Sequence, residues 1–265
     1  MIAYLDDVND RLKNRKYIYH YTSYKNCVNI VNSQVWFLSG AICMNDRLEY
    51  QNGDEAVWND LFFASFMSDT DESIGMWSMY SQPWEEGVQI AIPVKTAKQW
   101  ISGVKSIYEI SCSSNNKTGR QITCSDKDRV FLSSVVYTNC DNNPNSVERN
   151  TWSNAENTEI KNASHIPGLT GYVKDSAWDY EKEVRIKARF RNTDNFGRVA
   201  IEIPDYVFDA MVFTSSPCFN GDLQARLLAE TGRTLLVDRS IFSDKLILQK
   251  QCDVCPKKTE KKTTI

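Results

Sequence analysis

The chain has 265 residues, 42% hydrophobic and 25% charged, which suits one sizeable domain with a core, or one domain carrying an insertion. A formal net charge of -3 excludes a global positive field that would draw it to nucleic acid or membrane and leaves room only for local basic patches. No apolar run approaches the ~20 residues of a membrane span, and the first residues lack the charged and apolar regions of a signal peptide, so the expectation is a cytoplasmic protein, off the membrane, with its eight cysteines reduced.

In chain order, residues 4–15 read as a short amphipathic helix with Tyr4, Leu5, Val8 and Leu12 at helical spacing. Tyr17 to Thr22 reads as a strand, and Ser23 as the N-cap of a helix through Val31. Val35 to Leu38 is a strand, and Met44-Asn45-Asp46-Arg47-Leu48-Glu49 a turn running into a helix. Leu61 to Phe66 is a strand apolar enough to be buried on both faces, followed by a short helix at Ser73 to Tyr80. Gly87 to Val94 is a strand whose pairing Pro93 limits near its end, and Thr96 to Val104 a helix.

Residues 111–127 read as a polar surface loop, and Val130 to Tyr137 as a strand. The Asn-rich stretch 139–164 exceeds a usual connection and reads as a variable helical excursion or a lid. Trp178 to about Phe190 reads as one strand, then Arg198 to Ile203 and Ala210 to Thr214 as two more. A helix at Leu223 to Thr231 closes on Gly232, short apolar segments stand at 235–237 and 246–248, and the tail 257–265 is expected to be disordered. The expected organisation is a single α+β domain over residues 1–256, with polar insertions near 111–127 and 139–164.

Three segments carry chemistry. His20-Tyr21-Thr22-Ser23 stands at a strand end before a helix, and Asn45-Asp46-Arg47-Leu48-Glu49 forms the second. The third is the charged strand, where Glu181, Glu183, Arg185, Lys187 and Arg189 alternate with Val184, Ile186, Ala188 and Phe190. On a strand, Glu181 and Glu183 project to one side roughly 7 Å apart, either as a solvated face of paired charges or as the wall of a cleft. Cys252-Asp253-Val254-Cys255 has ligand-like spacing, but His20 and His165 are the only histidines and no second pair stands by, so no metal site is expected. No glycine-rich phosphate loop, Gly-x-Ser-x-Gly or His-Glu-x-x-His occurs.

A strand–helix–strand unit opening on Tyr19-His20-Tyr21-Thr22-Ser23, with Asn26, Ile30 and Val31, resembles the His–Tyr–Glu branch of the ADP-ribosyltransferase fold. The fuller order is His20-Tyr21-Thr22, Asn45 to Glu49, Phe63-Ala64-Ser65, Met76-Trp77-Ser78-Met79-Tyr80, then Trp178-Asp179-Tyr180-Glu181-Lys182-Glu183-Val184-Arg185. It is similar to a bacterial family of unknown function linked to abortive phage infection. The resemblance spans about residues 17–215 and implies a mixed or antiparallel split sheet with flanking helices.

What the resemblance implies chemically is cleavage of the nicotinamide–ribose bond of NAD, by an ADP-ribosyltransferase or an NAD glycohydrolase acting as a toxic effector in anti-phage defence. Glu183 would hold the ribose and stabilise the cation developing on it, and Glu181 would be the general base for the acceptor. His20 would bind the adenosine-side ribose or the pyrophosphate, with Tyr21 and Thr22 beside it, Thr22 adding a hydroxyl. Asn45 and Asp46 would complete the pocket, Trp77 or Tyr80 would stack on nicotinamide, and Arg185 would take a phosphate or neutralise Glu183. The implied partners are NAD, an acceptor that is nucleic acid or protein, and a neutralising protein.

Each residue also has a plain structural role open to it: His20, Trp77, Tyr80 and Trp178 as packing, Asp46 as a helix cap. Two other functions fit the same residues. One is a non-catalytic module of this fold that senses a nucleotide or phage component. The other is a nuclease in which Asp46, Glu49, Glu181 and Glu183 hold a divalent ion. The NAD reading requires His20 and Glu183 to line one pocket of roughly several hundred Å³.

Overall fold

The computed structural model describes residues 12, 14–41, 58–68, 72–110, 121–123, 130–138, 152–153, 159–160, 171–190 and 197–243. Asn45, Asp46 and Glu49, most of the two polar stretches, Cys252, Cys255 and the tail lie outside them. Strands in the first half are β1 (Tyr17–Ser23), β2 (Val35–Gly40), β3 (Leu61–Met67), β4 (Gly87–Pro93), β5 (Ser106–Glu109), β6 (Gln121–Thr123) and β7 (Val130–Ser134). The second half adds β8 (Val136–Thr138), β9 (Trp152–Ser153), β10 (Glu159–Ile160), β11 (Val173–Asp175), β12 (Glu183–Arg189), β13 (Arg198–Glu202), β14 (Val212–Ser215) and β15 (Leu236–Arg239). The helices are α1 (Tyr24–Ser33), α2 (Ile74–Tyr80), α3 (Val94–Ser102), α4 (Asp205–Phe208) and α5 (Leu223–Thr231).

The fold is α+β. Eleven of these strands form one mostly antiparallel sheet, with a parallel pair, β14 and β15, at one edge. No helix among the described residues is long and apolar enough to cross a membrane. The helix ends follow local chemistry. The Ser23 hydroxyl accepts from Asn26 N at 3.3 Å to start α1, Ser73 does the same for α2, and Gly232 closes α5 in the left-handed region at φ 66°. On α1, Cys27, Val28, Ile30 and Val31 turn one stripe into the core. On α3, Val94, Ala97, Trp100 and Ile101 do the same, and the Trp100 indole N–H donates to Glu202 O at 2.7 Å.

The sheet forks at β3. A strand has two edges, and β12 takes one edge of β3 along its whole length, from Glu183 opposite Met67 to Arg189 opposite Leu61. The other edge is shared: β1 meets β3 only at Tyr19 opposite Met67, and β2 only at Ser39 and Gly40 opposite Phe63 and Phe62. Between those contacts β1 follows β4 instead, pairing with it from Tyr17 to Ser23. The carbonyl of Ser65 at the fork accepts instead from a side chain, Nδ1 of His20 at 2.9 Å. Trp36 and Phe66, stacked with centroids 5.0 Å apart, pack beside the His20 ring, with Trp36 meeting it edge-on.

The charged segment differs from the single strand expected. Residues Ser176–Glu181 form a 3-10 turn, and the strand begins only at Glu183. Lys182 between them has φ 44°, a left-handed conformation that is costly for a side-chain-bearing residue, by about 1–2 kcal/mol. Its carbonyl is held by the Ser68 N–H at 3.0 Å and the Ser68 hydroxyl at 2.9 Å. Nor is the charged face solvated: Glu183, Arg185 and Lys187 are 3%, 0% and 6% exposed, because Gly171, Tyr172 and Lys174 pack over it. The expected strand over 130–137 also breaks, at Val135, whose N–H donates to Glu183 O at 2.8 Å.

Candidate active site at the fork of the sheet

A cleft of about 570 Å³ opens where β1 and β2 part. Its walls come from β1, α1, β2 and β3, and it is closed at one end by Tyr80 of α2 with Lys174, Trp178, Glu181 and Glu183. His20, Tyr21, Thr22, Tyr80, Glu181 and Glu183, six of the expected site residues, line it together.

His20 is set by its bond to Ser65. A carbonyl can only accept, so Nδ1 carries the proton. Burial lowers the ring's pKa below 6.5 despite the opposing bond to Ser65, so the ring is neutral at pH 7 and Nε2 is an acceptor. Thr22 and Tyr21 follow it, both buried. The Tyr21 hydroxyl already accepts from Ser73 N at 3.1 Å, and burial pushes its pKa up to about 12.

The two glutamates converge by a route other than strand alternation. Glu181 ends the 3-10 turn, Glu183 opens β12, and the left-handed Lys182 turns the chain between them. Both carboxylates then meet one ammonium: Lys174 Nζ lies 2.5 Å from Glu181 Oε2 and 3.3 Å from Glu183 Oε2. Arg185 holds Glu183 with a fork, Nε to Oε1 at 2.7 Å and Nη2 to Oε2 at 3.0 Å. Burial raises the Glu183 pKa, but the charges and hydrogen bonds of Arg185, then Lys174, then the hydroxyl of Ser65 outweigh it, and the net shift is downward. Glu183 is therefore a buried anion. The Tyr80 hydroxyl donates to Glu181 Oε1, so both oxygens of Glu181 have donors. Burial, then that bond and the Glu181 charge, raise the Tyr80 pKa and keep it a donor.

Two residues take the plainer of the roles open to them. Trp77 is fully buried, edge-on to Tyr21 at 4.9 Å, with its indole N–H donating to Glu72 at 3.0 Å, so it is a core residue and no stacking platform. Arg185 is fully buried too, its Nη1 donating to Gly171 O at 2.9 Å, so it neutralises Glu183 and has no reach to a ligand phosphate. Gly171 is required there: at φ +78° a Cβ would meet the Phe63 ring at 2.3 Å.

The sequence reading missed Lys174, Lys25, Asn29 and Arg198, and it gave Trp178 to packing. All five line the cleft. Trp178 is half-buried, with Lys174 Nζ 4.5 Å from its ring centroid. Lys25 and Arg198 bring exposed cations to the far end. Arg198 stands opposite Ser39, Ser39 opposite Phe63, and Glu183 opposite Met67, so four steps along β3 separate the two ends, roughly 13 Å at ~3.3 Å per residue. One end of the cleft thus offers exposed cations to an anionic group, and the other holds two carboxylates balanced by Lys174 and Arg185. Among the described residues no group of three or more His, Cys, Asp or Glu is placed to hold a metal ion.

A family model described as "Protein of unknown function (DUF2971)" matches residues 76–186, less than half of the chain; it takes in Tyr80, Lys174 and both glutamates but not His20. No curated protein matches. Among solved structures, the chain is similar to the Thermus sp. 2.9 DarT in complex with NAD+, with a TM-score of 0.35 and 9% identity over 85% of this chain and 96% of that one. It is similar to the same protein in complex with carba-NAD+, with a TM-score of 0.34 and 10% identity over 86% and 96%.

Proposed function

We propose that the protein binds NAD in the cleft at the fork and cleaves its nicotinamide–ribose bond, passing ADP-ribose to an acceptor or to water. One observation carries this: a carboxylate kept anionic by buried partners, Glu183, lines the same cleft as a neutral histidine, His20. The cleft volume falls within the roughly 300–1,000 Å³ of small-molecule sites. Its polarity fits a dinucleotide once Lys174 yields to the ligand, with Lys25 and Arg198 toward the pyrophosphate and the glutamates toward the cationic ring.

In this reading the electron pair of the glycosidic bond leaves with nicotinamide, which becomes neutral, and positive charge moves onto the ribose. Glu183 stabilises that charge without reorganising, because the two-point fork of Arg185 holds it in place. The acceptor's oxygen or nitrogen bonds to the ribose carbon, and its proton passes to Glu181. His20 Nε2 accepts from a ribose hydroxyl, and Tyr80 covers the nicotinamide ring. Asn45 and Asp46 would close the pocket from the stretch outside the described residues. The motif resemblance adds the wider setting: a cytoplasmic toxic effector of phage defence, held in check by a partner protein.

A second reading, a sensor that binds the nucleotide without turnover, is favoured by the state of Glu181, whose two oxygens are already engaged by Tyr80 and Lys174. One experiment separates the two. The protein is incubated with NAD, nicotinamide release is followed, and NAD binding is measured by calorimetry, for wild type and Glu183→Gln. Turnover predicts release by wild type and a roughly 10²–10³-fold slower rate for a variant that still binds. Binding with no release in either protein leaves the sensor. Release at equal rates in both removes Glu183 from the chemistry.

A further inference from the structure

The buried cluster holds two carboxylates, Glu181 and Glu183, and two cations, Lys174 and Arg185, so with all four in place its formal charge is zero. The two cations are not equivalent. Arg185 is fully buried and pinned at Glu183 and Gly171. Lys174 reaches in from the three-residue strand β11, lines the cleft, and its Nζ already lies 4.5 Å from the Trp178 ring centroid, so that ring face can hold it when the carboxylates do not. An ammonium on a flexible stem changes partners easily, whereas a guanidinium gripped on several sides does not.

We propose that Lys174 is a displaceable counter-ion: it occupies the seat of the ligand's cationic centre and moves onto Trp178 when a pyridinium nucleotide enters, so the site selects ligands by charge at that end. The inference rests on the NAD reading and deepens it. A pyridinium N-glycoside carries one positive charge, on the ring before cleavage and on the ribose during it. With Lys174 seated, the cluster has no net charge to offer, and Glu181 has no open oxygen. With Lys174 displaced, the cluster carries one net negative charge against the ligand's one positive, and Glu181 Oε2 becomes free to take a proton. In so buried a place, at 3–5% exposure of the carboxylate side chains, an uncompensated charge is costly, so Lys174 gives up its two ion pairs only when the ligand's cation takes its place.

NAD+ and NADH are the probes, since they differ in the charge of the nicotinamide ring and share the rest. Their dissociation constants are measured by calorimetry for wild type, Lys174→Met, Lys174→Gln and Lys174→Arg, with thermal unfolding as the check on folding. In the neutral variants the seat is vacant, and the ratio of the NADH constant to the NAD+ constant rises about tenfold or more over wild type. In Lys174→Arg it stays at or below the wild-type ratio. Lys174→Gln keeps an N–H donor for one carboxylate and supplies the answer if Lys174→Met does not fold. A ratio within twofold of wild type in either folded neutral variant overturns the counter-ion role while leaving NAD binding standing. Binding of neither nucleotide by wild type removes the NAD reading and this inference with it.

Discussion

His20 and Glu183 both depend on Ser65: the imidazole donates to its carbonyl oxygen at 2.9 Å, and its hydroxyl helps to hold the carboxylate's pKa down. One exposed residue at the fork of β3 thus fixes groups from the first strand and from β12. Ser65→Ala deletes the hydroxyl and keeps the carbonyl, so it separates the two anchors. Hydrogen bonds to charged groups contribute about 1.5–3 kcal/mol, and Glu183 keeps Arg185 and Lys174. The expected outcome is nicotinamide release slowed about tenfold, with the acid limb of its pH profile moved to higher pH. A slowed rate with an unmoved acid limb would show that the hydroxyl serves something other than Glu183.

Arg185 tests whether a buried partner supports the fold or the ligand. Removing one member of a buried ion pair costs about 3–5 kcal/mol, because the remaining charge has lost its compensation. Arg185→Met should therefore lower the midpoint of urea unfolding sharply, with no selective loss of affinity for phosphate-bearing ligands over nicotinamide riboside. Intact stability with weakened NAD binding would return Arg185 to the ligand.

The two tryptophans near the site should part in opposite directions. Trp77 fills the contact between α2 and Tyr21, and Trp77→Ala is expected to cost about 3–5 kcal/mol of stability. Trp178 is half-buried on the cleft wall, and Trp178→Ala should leave the unfolding midpoint nearly unchanged while weakening NAD binding. Denaturation and calorimetry on both variants check this; a Trp178 variant that unfolds early but binds NAD normally would make that ring packing after all.

Many of the strands and helices were legible because their signals are local. But β5, β6, β9, β10 and β11, two to four residues each, are too short to show a pattern, and 121–123 stands as a strand inside the stretch expected to be a loop. Short β-rich and apolar runs placed β1 to β4, Ser23 announced α1, and Gly232 closed α5 where its lack of a Cβ allows φ 66°. The charged segment misled because alternation cannot register a left-handed residue: Lys182 ends the 3-10 turn without any glycine to mark it. Lys174 left no trace, since a lone lysine in Tyr172-Val173-Lys174-Asp175 looks like surface until the fold brings both glutamates to it. Trp77 and Tyr80, three apart on α2, could not be told apart by spacing, and only packing sends one to the core and the other to the cleft.

Stability should rise with pH in two separate windows. On the acid side, Glu183 has a net lowered pKa, so its contribution is complete above about 4.5 and is lost as pH falls through its folded value. His20, lowered below 6.5 by burial, acts in the same direction: the unfolded ring takes up a proton while the folded ring stays neutral. On the alkaline side, burial first, then the charges of Arg189 and Arg185, lower Lys187 to about 7, although the Tyr172 ring lies 4.2 Å from its Nζ. Between about 7 and 10.5 the unfolded chain therefore binds more protons than the folded one, and stability climbs with pH. Lys187→Met removes that second window and keeps the chain length in the core. Its gain over wild type should be largest at pH 7 and below and shrink steadily toward pH 10, read as urea midpoints at matched pH. A gain that stays level from pH 7 to pH 10 would mean that Lys187 carries no buried charge to relieve.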